Sequence, residues 1–132
     1  GVLLQHRAVR IGEGTSENAS KELARGNVDA AIEAARTATR RSGDARSFET
    51  YAAALAAGHR FKEAAKAYTE LIRRDPNASA AYLGRAEARR AVGDLKGAVE
   101  DYRTLIEIEP ESPLYRELLT SVERELSARE NR

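Results

Sequence analysis

The residues that could do acid–base or metal chemistry are few in this chain. Histidine occurs only at His6 and His59, and there is no cysteine. No glycine-rich phosphate loop, nucleophile elbow or histidine–carboxylate cluster with metal-ligand spacing is present. Glu63 follows His59 by four residues, a spacing typical of a local surface pair on a helix. We therefore expect no enzyme activity, no metal site and no cofactor.

Two arginine pairs are the other chemically distinctive feature. Arg40–Arg41 and Arg73–Arg74 lie near the ends of two predicted helices, where they could form a basic edge for an acidic partner, nucleic acid or anionic lipid. The helix dipole also favours cations at these places, by about 0.3–1 kcal/mol each. The third equivalent place holds Glu107–Ile108, which interrupts such an edge. We favour the helix-dipole interpretation.

Charge and hydrophobicity describe a globular chain rather than a nucleic-acid or membrane protein. The 22 Lys and Arg residues nearly balance the 21 Asp and Glu residues, so the net charge is +1 and no nucleic-acid partner is expected. No stretch approaches the roughly 18 apolar residues of a membrane span. Val2–Leu4 is too short for the core of a signal peptide. We expect a soluble domain without direct membrane insertion, and the choice between cytoplasm and periplasm stays open.

An internal repeat organises the elements that must position any functional residue. Between Ala45 and Glu111 the sequence repeats with a period of 34 residues. A period of about 20–50 residues is typical of stacked units, each of which buries its apolar face on the next. The matching residues are Lys62 and Lys96, Ala64 and Ala98, Tyr68 and Tyr102, Leu71 and Leu105, Ile72 and Ile106, and Pro76 and Pro110.

Local signals place the ends of the helices in each unit. Thr15 or Ser16, Asp44 and Asp94 are candidate N-caps. Gly43 can end a helix in the left-handed conformation, and Asp75–Pro76 stops another. The predicted helices span residues 16–25, 28–41, 45–57, 61–74, 79–92, 95–108 and 112–129.

The last helix has the pattern of a cap for the array. Ser112 and Pro113 mark its start. A narrow apolar stripe is surrounded by charge, as expected of a terminal element that covers the preceding seam. The stripe consists of Leu114, Leu118, Val122 and Leu126.

The repeated units resemble the tetratricopeptide repeat, a helix–turn–helix of about 34 residues. The resemblance depends on Ala81–Ala86, Gly93–Asp94, Ala98, Tyr102 and Pro110, and on their counterparts in the preceding unit. It implies an all-α, right-handed α-solenoid of about three repeats with a C-terminal capping helix. Within a single domain over 1–132, the expected parts are an N-terminal helix or terminal tail at 1–11, a degenerate repeat at 12–44, repeats at 45–78 and 79–111, and the capping helix at 112–132.

The resemblance also implies a binding site, because this family uses the first helix of each pair to line a concave groove for a peptide or a partner helix. One version of the family grips the terminal carboxylate of a heat-shock chaperone through Lys, Asn and Arg. Here those positions hold Ser16, Ser20, Thr50, Ala80 and Gly84, so we expect no chaperone-tail role. Carried over by position, the groove residues are Arg46, Glu49, Thr50, Ala53, Leu83, Gly84, Glu87 and Arg90, with Ser16 and Ser20 from the degenerate repeat.

Two function classes follow. The first is a non-catalytic protein-interaction module, an adaptor or scaffold in a larger, bacterial assembly. The second is a structural spacer or self-association module, and thus a possible homo-oligomer, within a longer array such as that of a secretion or polysaccharide-export protein. Groove mutations would abolish partner capture in the first case, whereas concentration-dependent mass would support the second.

Overall fold

The computed structural model describes residues 14–132, and within that range the chain is all-α. The predicted tail at 1–11 lies outside the described residues. The limits expected for the single domain and its repeats stay predictions. The helices are α1 (Ser16–Ala24), α2 (Val28–Arg41), α3 (Ala45–Ala57), α4 (Phe61–Arg74), α5 (Ser79–Ala91), α6 (Leu95–Ile108) and α7 (Pro113–Glu130).

Side-chain caps begin three of these helices where the sequence predicts them. Thr15, Asp44 and Asp94 each accept a hydrogen bond from the backbone N–H three residues further on, at 3.0, 2.9 and 3.0 Å. Each bond satisfies one of the donors that the first turn of a helix leaves free. The expected cap at Ser112 differs, since its side chain makes no such bond and Pro113 alone marks the start of α7.

Left-handed residues make the turns inside the helix pairs. Gly26 and Gly93 have φ angles of 83° and 88°, and His59 takes the corresponding place in the middle pair with φ 59°. The His59 ring packs edge-on against Phe61, with 5.5 Å between centroids. The expected His59–Glu63 pair is not formed, because the Glu63 carboxylate pairs with Arg60 at 2.8 Å.

The helices pack sequentially as three pairs followed by α7. Within pairs, α1 packs on α2, α3 on α4 and α5 on α6; between pairs, α2 packs on α3, α4 on α5 and α6 on α7. The first helices also approach one another, α1 to α3 and α3 to α5. Within residues 14–132, the backbones of α2 and α4, or of α4 and α6, make no comparable approach.

Small residues allow this close packing. Ala52, Ala64, Ala86 and Ala98 are fully buried where the two helices of a pair meet, as the repeat predicts. Alanine lets helix axes approach while it favours the helical conformation. The largest fully buried side chains are Tyr102, Ile32, Leu55, Leu105, Val122 and Asp101.

The capping helix α7 covers the last pair through a stripe that differs from the prediction at its start. Val122 is fully buried, and Leu118 and Leu126 pack beside it as predicted. Leu114 is wrong as a stripe member, because 49% of it is exposed. Tyr115 and Leu119 pack on the core instead. In the first turn of α7 the apolar stripe therefore passes through Tyr115 instead of Leu114.

A buried ion network joins α4, α5 and α6. Asp101 is 2% exposed and accepts two hydrogen bonds from Arg85, at 2.7 and 3.1 Å, in a bidentate arrangement. Arg89 Nη1 donates to Asp101 Oδ2 at 3.0 Å. Arg85 also donates to Thr69 Oγ1 at 3.1 Å. The charge of Asp101 is thus fully compensated inside the array, as a buried carboxylate requires.

Candidate partner-binding groove

The spacing of the helices identifies the concave face of the array. First helices lie closer together than second helices do, and in a curved stack the more closely spaced layer is the inner one. The inner layer is therefore formed by α1, α3 and α5. We call the surface of α3 and α5 on this inner side the groove.

Four of the expected groove residues are exposed in the structure. Arg46, Glu49 and Ala53 lie along α3, and Glu87 lies on α5. Among residues 14–132, neither Glu49 nor Glu87 has a side-chain ion-pair partner. Both carboxylates are thus exposed and uncompensated within the described part of the chain.

The other four expected groove residues are partly covered by neighbours in the fold. The Thr50 hydroxyl donates to the Arg46 carbonyl at 3.0 Å. Leu83 packs against the core under α5, α6 and α7. A Cβ on Gly84 would lie 2.2 Å from Tyr68 Cζ, so the tyrosine ring rests directly on this glycine. The exposed surface at Gly84 is therefore the ring of Tyr68.

Arg90, the fourth covered residue, is held by the capping helix. Its guanidinium donates to Glu125 Oε1 and to Ser121 Oγ, both at 2.9 Å. It also lies beside the Tyr102 hydroxyl. The hydrogen bond that Arg90 donates to Glu125 raises the pKa of Arg90 above its ordinary value. Arg90 thus bridges α5 and α7 and closes that end of the groove.

Residues of the degenerate repeat extend the same inner layer. Ser20 is exposed on α1, and Ser16 is partly covered at its start. Their hydroxyls carry no charge, so these two residues add none to the inner surface.

Tyr68 is the groove residue that was missing from the expected set. It comes from α4, a second helix, and reaches the inner face between α3 and α5. Burial raises the pKa of the Tyr68 hydroxyl, and the charges of Glu87 and Glu49 raise it further. The signal that could have found it is the glycine at position 84, where the neighbouring units have Thr50 and Leu118. A missing side chain leaves room for the ring.

The arginines Arg73 and Arg74, considered above as part of a basic edge, are neutralised by pairing. Arg73 and Arg74 bind the Glu70 carboxylate, at 3.1 and 2.8 Å. Arg74 also lies 4.1 Å over the ring of Phe48 and donates to the Gly43 carbonyl at 2.6 Å. These contacts lower the pKa of Glu70, chiefly through the hydrogen bond from Arg74. They agree with a structural role for the arginines.

The described residues are limited in the metal and membrane chemistry that they offer. No group of three or more His, Cys, Asp or Glu side chains between residues 14 and 132 comes together as a metal site would require. None of the helices in that range is both long and apolar enough to cross a bilayer.

Known structures with the same arrangement of helices are numerous. The first TPR domain of human RPAP3 has a TM-score of 0.79 at 23% identity, covering 88% of this chain and 92% of that domain. The second TPR domain of human RPAP3 in complex with HSP70 peptide SGPTIEEVD has a TM-score of 0.76 at 23% identity, covering 86% and 97%. The Yersinia enterocolitica type III secretion chaperone SycD in complex with a peptide of the translocator YopD has a TM-score of 0.70 at 21% identity, covering 86% and 87%.

Sequence comparison agrees with the fold. No curated protein matches the chain significantly. Residues 52–113, however, match the tetratricopeptide repeat family, and no catalytic family is indicated. The match covers the units with the aromatic and proline signals, and the helices outside it have the same paired arrangement. Residues 52–113 are therefore tetratricopeptide repeats, and the described chain as a whole has the fold of a tetratricopeptide repeat domain.

Proposed function

We propose that this domain is a non-catalytic protein-interaction module that binds a peptide or a partner helix in the groove of α3 and α5. The observation that carries the proposal is the composition of that inner face. At Ala53 and at the Tyr68 ring over Gly84, no long side chain projects into the groove. Glu49 and Glu87 are exposed on the same helices. The backbone of a bound peptide can therefore approach the groove closely, and the charged side chains can select among peptides.

Relatives of the same fold support the proposal by analogy. The second TPR domain of human RPAP3 is in complex with an HSP70 peptide, and SycD is in complex with a peptide of YopD. An acidic chaperone tail is nevertheless a poor ligand for this chain. The groove presents Glu49 and Glu87, and Arg90 is already bound to Glu125. Like charges would oppose such a peptide.

We further propose that the domain acts as an adaptor or scaffold in a larger bacterial assembly, as the sequence led us to expect. The support is the presence of this fold in a Yersinia secretion chaperone, which is an argument from analogy.

The alternative of stacking in a longer array finds little support at α7. By the 34-residue offset, Glu117 and Thr120 take the places that Leu83 and Ala86 have in α5. A shallow hollow of about 360 Å³ on α7 is lined by charged and hydroxyl side chains. A polar surface of this kind favours contact with water over another repeat.

The test is a selection from phage-displayed random dodecapeptides on the 132-residue chain and on two variants. Ala53→Arg places a long cation in the groove, whereas Ala30→Arg makes the same change at an exposed site on α2. We expect recovered peptides to bind the native chain and the Ala30→Arg variant, and to lose about tenfold or more in affinity for Ala53→Arg. Circular dichroism should show equal helix content in all three.

Two outcomes would contradict the proposal. Peptides that bind Ala53→Arg as well as the native chain would place the site outside the groove. Failure to enrich any peptide, together with a mass that rises with concentration in light scattering, would favour the self-association alternative.

A further inference from the structure

Tyr68 forms an aromatic platform in the centre of the groove. Its ring lies on Gly84 of α5, although the residue itself belongs to α4. The side chain is half-buried, so one part of it stays open to the inner face. Ala53 on α3 is small and exposed, which leaves the approach to this ring unobstructed.

Two carboxylates flank this platform without a cation of their own. Glu49 lies on α3 and Glu87 on α5, and neither forms an ion pair with any residue between 14 and 132. Arg90 lies about one helical turn after Glu87 on α5, but Glu125 and Ser121 of α7 hold its guanidinium. Arg85 and Arg89, two residues to either side of Glu87, are paired with Asp101. Arg46, three residues before Glu49 on α3, is exposed and makes no ion pair with it.

The electrostatics of Tyr68 agree with this geometry. After burial, the charges of Glu87 and Glu49 are the factors that raise the pKa of its hydroxyl. Both carboxylates are thus close enough to act on the ring from opposite helices. The phenol stays neutral at physiological pH, and the face of a neutral phenol ring attracts cations.

We propose that the groove is selective for a basic segment, with a Lys or Arg side chain of the partner placed over Tyr68 between Glu49 and Glu87. This inference rests on the proposed function and names the chemistry of its ligand. The charge of the segment complements the two carboxylates, and its cation gains a contact with the aromatic face. Small apolar residues on either side of the cation would fit over Ala53.

The experiment uses three fluorescein-labelled dodecapeptides with one Ala–Leu–Ser scaffold. They carry two Lys, two Gln or two Glu at the same central positions, and their binding to the 132-residue chain is measured by fluorescence anisotropy at about 0.1 M salt. We expect the Lys peptide to bind about tenfold more tightly than the Gln peptide. The Glu peptide should bind most weakly.

Matched variants assign the preference to the groove. Glu49→Gln/Glu87→Gln should weaken binding of the Lys peptide about tenfold, to the level of the Gln peptide. Glu100→Gln/Glu107→Gln makes the same change in net charge at exposed sites on α6 and should leave the preference unaltered. Both double variants keep all buried side chains, so their folding is expected to be normal.

Three results would overturn this inference. The first is equal binding of the three peptides, the second is a preference that survives Glu49→Gln/Glu87→Gln, and the third is no binding of the Lys peptide. If peptides from the random library still require the groove but lack Lys and Arg, the proposed function stands and only the basic ligand is wrong. If the library also yields no groove-dependent peptide, both proposals fail.

Discussion

Asp101 occupies a repeat position that holds a charged residue in one unit and an apolar residue in another. Arg85 and Asp101 form a bidentate pair in the last helix pair. Thirty-four residues earlier the same places hold Tyr51 and Ala67, which belong to one apolar cluster. A large aromatic residue over alanine and an arginine over aspartate fill similar space. We infer that the repeat accepts either the Tyr–Ala or the Arg–Asp combination, but not a mixture of the two.

This correspondence predicts strong coupling between the two positions. Arg85→Tyr alone should destabilise the fold by about 3–5 kcal/mol, because it removes the main partner of a buried carboxylate. Adding Asp101→Ala should recover most of that loss, since the pair then copies Tyr51 and Ala67. Urea unfolding of the two single variants and the double variant forms a double-mutant cycle. Additive effects in that cycle would contradict the prediction.

The two repeat tyrosines differ in burial, so their truncations should differ in cost. Tyr102 is 1% exposed, and Tyr102→Ala should destabilise the fold by about 3–5 kcal/mol. Tyr68 is half-buried over Gly84, and Tyr68→Ala should cost only about 1–2 kcal/mol. The urea midpoints of the two variants, compared with the native chain at a common m-value, measure both losses of stability. Equal losses would mean that Tyr68 is as much a core residue as Tyr102.

At the scale of elements, the start of α3 depends on a single charged cap. Asp44 accepts hydrogen bonds from Ser47, and these bonds hold the pKa of the Asp44 carboxyl below its ordinary value. A lowered folded-state pKa means that the ionised carboxylate stabilises the helix. That stabilisation is present above the unfolded pKa of about 3.9 and is lost as the pH falls through the folded value.

Asp44→Asn tests this pH dependence. Asparagine caps a helix nearly as well but carries no charge, so the variant should lose less stability than the native chain between about pH 5 and pH 3. Urea unfolding across that range measures the difference. Glu100→Gln, at an exposed site on α6, serves as the control and should follow the native curve. An unchanged slope for Asp44→Asn would show that the cap does not depend on its charge.

At the scale of the whole molecule, α7 completes the core of the last pair. Val122 is fully buried, and Tyr115, Leu118, Leu119 and Leu126 pack around it against Leu105 and Tyr102. Full burial of Val122 contributes about 1.5–3 kcal/mol, and each of the four partly buried side chains adds a part of that amount. The sum is comparable with the total stability of a small domain.

Deletion of residues 112–132 should therefore abolish cooperative unfolding or lead to self-association through the exposed face of α6. Circular dichroism melts and light scattering report the two results. A chain that ends at Leu126 is the matched control, because residues 127–132 are exposed. It should unfold cooperatively as a monomer with slightly lower stability, because it loses the hydrogen bond from Arg129 to the Gly93 carbonyl. A monomeric and cooperative 1–111 chain would contradict the prediction.

The sequence by itself determined the helices and their pairing, whereas the placing of the groove on the first helices stays a prediction from the family resemblance. Caps, left-handed glycines and prolines act within about four residues of the backbone, so they place helix ends without knowledge of the fold. The 34-residue period then implies that equivalent helices occupy equivalent places. The predicted limits of α3, α4 and α6 agree with the structure residue for residue.

Only the tertiary structure decided which side chains remain open in the groove. The Tyr68 ring covers Gly84, the capping helix binds Arg90, and Leu114 faces solvent where a periodic stripe would bury it. Each result depends on the distance and rotation between helices that are far apart in the chain. Summed small differences in packing set these quantities, and no local pattern of residues encodes them.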